Sequence, residues 1–242
     1  MTRNFRNCPF VDNPAFMAPD AHEEAIAEAA RAGELRMPAG QTVVMEGNEP
    51  QRFFTLIEGQ AMRYRMLEDG RRQVLNFLFP GDLIGLDAIM MGMASHTTEA
   101  LTPVKLSVFD RKQVWELFSK MPQRAMMLTW QVAREEHFLS DALVTVGQRS
   151  AREALAWAFV TLFERGSQTG LVRDGKMPFP VRQQDLADAL GLSLVHTNKT
   201  LARLRSEGLV RWAQGILELP DLERLADIGV VELGAGPPRY YL

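Results

Sequence analysis

The sequence predicts an α+β chain: an N-terminal β-sandwich or barrel, a long dimerisation helix and a C-terminal winged helix-turn-helix. Three observations carry this. Turn dipeptides at Glu46-Gly47, Glu58-Gly59, Asp69-Gly70 and Gly81-Asp82 recur ~11 residues apart, and short β-prone runs fill the gaps. A heptad of largely apolar residues then runs from Met121 to Val146. Two short helical patterns finally flank Gly191.

The elements follow in order. Asp20 can cap a helix over AHEEAIAEAARAG that stops at Gly33. The runs TVVM, FFTLI, AMRYRM and QVLNFLF alternate with turns and read as strands of a sandwich or barrel. Asp110 can cap the helix RKQVWELFSK, and Pro122 suits the first turn of the next. Met121, Ala125, Leu128, Val132, Glu135, Leu139, Ala142 and Val146 then step by four and three, as a parallel coiled-coil seam does; a helix packed on its own domain gives the same pattern. Glu135 is the one acidic residue of that seam. Thr145–Ser150 is polar, contains Gly147 and is the expected hinge; the helix ALAWAFVTLFER and a Gly- and Pro-rich loop leading to a short strand come next. The expected domains are 1–34, a lead-in and helix; 35–120, the roll; 121–146, the dimerisation helix; and 147–242, the winged helix-turn-helix.

Composition narrows the class. An apolar fraction of 46% with 24% charged residues is globular. No apolar run approaches the ~18 residues of a membrane span, and MTRNFRNCPF has no apolar leader core. Cys8 is the single cysteine, which excludes an internal disulfide and a four-thiolate metal or iron–sulfur site within one chain. The cytoplasm is the expected compartment. A net charge of −3 leaves room for a local basic face.

The segment Val181–Trp212 carries the most chemistry. Gln183–Leu190 can bury Leu186, Ala187 and Leu190, and Gly191 suits a tight turn. Ser193 can cap a second helix, at about 193–206, whose Val195, Leu201 and Leu204 can pack inward; Gly208 ends it. That leaves His196, Thr197, Asn198, Lys199, Thr200 and Arg203 as donors for base edges and phosphates. Leu209–Trp212 and Ile216–Leu219, joined across Gln214-Gly215, read as a wing. Double-stranded DNA is the partner this pattern implies, against a solvated face on an all-α domain.

In this order, and in PGDLIGLDAI (Pro80–Ile89) and VRQQDLADALGLS…TLARLRSEGLV (Val181–Val210), the sequence resembles the Crp/Fnr bacterial transcription regulators, nearer the Fnr/FixK side. The resemblance implies a cyclic-nucleotide-binding-like β jelly-roll, a homodimer through the long helix, a palindromic promoter site with half-sites about 34 Å apart, and RNA polymerase as a partner. It places Arg182, Gln183 and Gln184 on the DNA backbone. Val195 and Lys199 stand where the family usually has a base-reading glutamate and arginine. Valine can meet a thymine methyl but cannot accept from cytosine, and lysine lacks the guanidinium fork. With Ser193, His196, Thr197, Asn198 and Arg203, these make up the expected DNA-binding set.

The resemblance also implies an effector pocket at Gly81, Asp82, Leu86, His96 and Thr97. Leu86, His96 and Thr97 replace the glutamate and the Arg-Ser pair of the cyclic-nucleotide branch. That removes two charge-assisted contacts of about 1.5–3 kcal/mol each and argues against cyclic AMP. Asp87 is expected on the opposite face of a strand. The four-cysteine iron–sulfur branch is excluded, and Ser107 stands at the internal cysteine position. A haem on His22, His96 or His137, with Met90, Met91 and Met93 nearby, stays open beside the reading that these methionines fill gaps in the roll core. Activity set by expression level alone is the other open case, so the cofactor is unknown. No catalysis is expected: a cupin-like enzyme needs a His and carboxylate metal cluster, and 35–109 holds only His96. An adaptor acting without DNA is the remaining alternative.

Overall fold

The computed structural model describes residues 31–120 and 122–234; Cys8, His22 and Met121 lie outside them. Two compact units divide these residues: 31–65 with 78–136, and 66–77 with 137–234.

The first unit is built on short strands. β1 (Arg31–Met37), β3 (Arg52–Glu58), β6 (Leu83–Ile84) and β8 (Val104–Asp110) form an antiparallel sheet in the order β1-β8-β3-β6. A second sheet has the order β2 (Thr42–Val44), β7 (Thr97–Ala100), β4 (Ala61–Met66), β5 (Arg72–Leu78), of which residues 72–77 of β5 count with the second unit. Phe54, Leu56, Leu78, Ile84, Leu106 and Val108 form the centre of its core. The runs read as strands are β2 to β5, and the turn glycines Gly47, Gly59, Gly70 and Gly81 all have positive φ.

The helix expected to stop at Gly33 is corrected at its described end. Arg31–Met37 is strand, with Leu35 opposite Leu106, so pairing with β8 overrides the local helix preference. Leu86–Met91 is also not strand but a short helix, α1, bounded by Gly85 (φ 80°) and Gly92 (φ 91°). Left-handed residues at both ends turn an apolar run into one isolated helical segment. Asp87 therefore lies in a first helical turn, where its carboxylate reaches toward Ser95 and His96. Met90, Met91 and Met93 are exposed, so they do not fill the core.

After β8 come α2 (Arg111–Lys120) and α3 (Pro122–Gln148). The long helix runs through the expected hinge as far as Gln148; the break is at Arg149-Ser150. Ser150 opens α4 (Ala151–Gln168) with a capping box: its amide donates to Glu153 Oε2 at 2.8 Å, and the Glu153 amide donates to Ser150 Oγ.

The second unit surrounds α4, whose Leu155, Phe159, Val160 and Leu162 are buried. α7 (Leu222–Gly229) crosses it closely: a Cβ at Gly229 would lie 2.6 Å from the Trp157 amide nitrogen. Phe159, Phe179 and Trp212 form an aromatic cluster with centroids 5.2–6.3 Å apart. Among the described residues, no helix is long and apolar enough to cross a membrane.

Candidate DNA-binding site

The site is made by α5 (Gln183–Leu190), α6 (Leu194–Ser206) and a three-stranded wing. Leu186, Ala187 and Leu190 are buried, as their spacing predicts. Gly191 then adopts φ 65°, and its place is tight, since a Cβ there would lie 3.3 Å from Val146 Cγ1. The turn closes when the Leu192 amide donates to the Ala187 carbonyl at 3.0 Å. Ser193 caps α6, its hydroxyl accepting from the His196 amide at 3.2 Å. At the far end Gly208 has φ 72°, and the Leu209 amide returns to the Leu204 carbonyl.

The faces of α6 separate cleanly. Thr197, Thr200, Leu201 and Leu204 point inward, so the exposure expected of Thr197 and Thr200 is corrected; Thr197 is 0% exposed. Three- and four-residue spacing puts these positions on the stripe that packs. Val195, read as able to pack inward, is instead 79% exposed. Val195, Lys199 and Arg203 follow one another at four-residue steps on the outer face, with His196 and Asn198 beside them. Lys199 has no ion-pair partner among the described residues, whereas Arg203 donates to Glu207 Oε1 at 3.1 Å.

The wing is β10 (Arg211–Ala213), β11 (Ile216–Glu218) and β9 (Lys176–Pro178), in the order β10-β11-β9. Gln214 and Gly215, at φ 52° and 73°, form the two-residue loop that suits a tight hairpin. Arg205 donates to the Trp212 carbonyl at 2.6 Å and fastens α6 to the wing.

At the start of α5, Arg182, Gln183 and Gln184 are exposed or half-exposed. The buried Asp185 carboxylate accepts from the Arg182 amide at 2.9 Å and from Arg182 Nε and Nη2 at 3.0 Å each. Burial raises this carboxyl, but the Arg182 hydrogen bonds, with those of Arg72, outweigh it and hold it below the ordinary range. Sequence reasoning missed Arg72, which reaches both Asp185 and Asp188. The available signal was two carboxylates three residues apart on one helix, and an Arg-Arg pair just after a turn.

The other expected sites are distributed as follows. In the seam, Ala125 and Leu128 are buried in the chain itself, while Val132, Leu139 and Val146 are exposed. Glu135 receives a 2.8 Å bond from Arg63, and Ala142 is half-buried. In the roll, Gly81 forms the turn, its amide donating to the Leu56 carbonyl at 2.7 Å. Asp82 accepts from the Phe79 amide at 2.8 Å, and Thr97 accepts from the Glu46 amide at 3.1 Å. Leu86 and His96 are buried. Burial and the Arg63 charge lower the His96 pKa against the pull of Asp87, Glu135 and Glu46, so the ring is neutral at pH 7. His137 is exposed, 3.8 Å from Asp141.

A capped, outward-facing second helix joined by a glycine turn to a first helix and flanked by a wing is a major-groove reader, so the chain is a winged-helix DNA-binding protein. The family model for the cyclic nucleotide-binding domain matches residues 34–121, and that for the Crp-like helix-turn-helix domain matches 153–228. The chain is 28% identical over 191 residues to the nitrogen fixation regulation protein FixK of Bradyrhizobium diazoefficiens, covering 79% of each chain. It is 28% identical over 197 residues to the transcriptional activatory protein AadR of Rhodopseudomonas palustris, covering 81% of this chain and 78% of that one. The solved structure of FixK2 from Bradyrhizobium japonicum shares the fold, with a TM-score of 0.71 at 23% identity over 83% of this chain and 98% of that one. The chain belongs to the Crp/Fnr family; it is a DNA-binding transcription regulator and not an enzyme.

Proposed function

We propose that the chain binds a two-fold symmetric promoter site as a homodimer and reads each half-site with the outer face of α6. The observation that carries this is the row Val195, Lys199, Arg203, free of the packing that holds Thr197, Leu201 and Leu204. In this reading Val195 meets a thymine methyl, Lys199 donates to guanine, and Ser193, His196, Asn198 and Arg203 add phosphate or base contacts. Arg182, Gln183 and Gln184 hold the backbone. The buried Thr197 acts only in packing.

The dimer contact we propose is the exposed stripe Val132, Glu136, Leu139, Leu143 and Val146, which keeps the four-and-three spacing. It replaces Glu135 and Ala142 with their neighbours, since Glu135 is engaged by Arg63. The Gly81, Asp82, Leu86, His96 and Thr97 region is proposed as the effector pocket; Leu86 and a neutral His96 suit a less anionic ligand than a cyclic nucleotide. RNA polymerase and a cytoplasmic location complete the reading.

An electrophoretic shift with genomic fragments at moderate salt tests it. Sequence-dependent complexes are expected, and Lys199→Ala should weaken them about tenfold while changing random-sequence binding little. Equal loss on both kinds of DNA would assign Lys199 to phosphate alone, and no sequence-dependent complex would overturn the reading.

A further inference from the structure

The turn between β4 and β5 and the start of β5 group with the helix-turn-helix unit, and the side chains of Arg72 and Gln73, the first residues of β5, reach α5. Arg72 Nε donates to Asp188 Oδ2 at 2.8 Å, and Arg72 Nη2 lies 2.5 Å from Asp185 Oδ1 and 2.7 Å from Asp188 Oδ2. Gln73 Nε2 donates to the Ala189 carbonyl at 3.1 Å, at the end of the same helix. The Arg72 guanidinium is largely buried in this bridge.

Both carboxylates have a second task. Asp185 also binds the backbone amide and guanidinium of Arg182, and Asp188 Oδ1 accepts from Gln184 Nε2 at 2.6 Å. Arg182 and Gln184 are two of the three residues proposed to hold the DNA backbone. Arg72 therefore sits one hydrogen bond behind each of them.

We infer that Arg72 is a positioning residue for DNA binding: it offsets the charge of Asp185 and Asp188 behind the exposed Arg182, whose guanidinium also donates to Asp185, and orients Gln184 through Asp188. The inference rests on the proposed DNA contacts. Without Arg72, Arg182 alone compensates the buried Asp185, and Asp188 keeps only its bond from Gln184 among these groups. The Arg182 charge is then spent on Asp185, and less counterion is released when phosphate binds. The loss falls on the sequence-independent part of affinity, because none of these groups reaches a base edge in the proposed arrangement.

The test measures binding of the full-length protein to operator and to random DNA across a salt series, for wild type, Arg72→Ala, Arg72→Lys and the double variant Arg72→Ala/Asp188→Asn. Arg72→Ala should weaken both DNAs by a similar factor, about tenfold at moderate salt, and reduce the slope of log affinity against log salt by about one. Arg72→Lys should recover part of the loss, as a point charge without the fork. The double variant should recover most of it, because a carboxylate is removed along with its counter-charge, although the contact between the start of β5 and α5 stays broken. Wild-type affinity and slope in Arg72→Ala would overturn the inference while the DNA-binding reading stands. So would a loss with an unchanged slope that Asp188→Asn fails to rescue, which marks a purely structural role. Absence of wild-type binding overturns the DNA-binding reading and this inference with it.

Discussion

Replacing Leu139 and Leu143 together with glutamate is expected to give monomers and to lower operator affinity about a hundredfold. Leu139 is 41% exposed and Leu143 74%, four residues apart on α3, with Val132 and Val146 continuing the same stripe. Burying a leucine is worth about 1.5–3 kcal/mol, and a symmetric contact buries two copies of each. Four glutamates placed there remove that gain and add repulsion. The DNA term follows because a dimer engages its second half-site at high effective concentration, commonly a gain of two orders of magnitude or more. Sedimentation velocity and a titration of operator DNA read the two effects, and unchanged far-UV circular dichroism shows that the fold persists. A dimer that survives both glutamates would remove the stripe as the interface. Leu128 does not serve for this test: at 2% exposed it is part of the chain's own core, and a charge there damages the fold first.

Asp185→Ala is expected to destabilise the C-terminal unit by about 3 kcal/mol. Its carboxylate is 0% exposed and takes hydrogen bonds from the Arg182 amide and side chain and from Arg72. Removing one partner of such a set costs more than the set contributes, because it strands buried charge and opens the helix cap. Asp188 still holds Arg72, which keeps the cost near the lower end of the usual range. The pH dependence has a definite sign. The folded carboxyl titrates below its unfolded value of about 4, so its contribution is full above that value and is lost as pH falls through the lower folded one. Urea denaturation at pH 7 and at pH 3 reads both effects: a large gap between wild type and variant at pH 7, and a smaller one at pH 3. A gap below 1 kcal/mol at pH 7 would contradict the assignment.

Much of this architecture is written in short-range signals. The glycine at 191, the serine cap at 193 and the stop at 208 act on the residues next to them, so the helix-turn-helix was legible almost to the residue. The same holds for β2 to β5, which lie between glycine turns. What was not legible depends on partners far along the chain. Glu135 looked misplaced in an apolar seam because its partner, Arg63, is 72 residues away. Arg31–Met37 carries little strand preference of its own and is strand because β8 pairs with it. Arg72 belongs to the helix-turn-helix by an ion pair that crosses more than a hundred residues. In α6 the boundary was clear but two assignments within it were not: counting by three and four from Leu204 turns Thr197 and Thr200 inward, and the same count turns Val195 out.

The central claim is that two copies of α6 read a symmetric site, and selection of bound sequences from a random double-stranded pool tests it most directly. The expected result is a two-fold symmetric motif whose half-sites are centred about 34 Å apart, with thymine preferred at the position facing Val195. A single unpaired half-site, or a pool without enrichment at moderate salt, would contradict it.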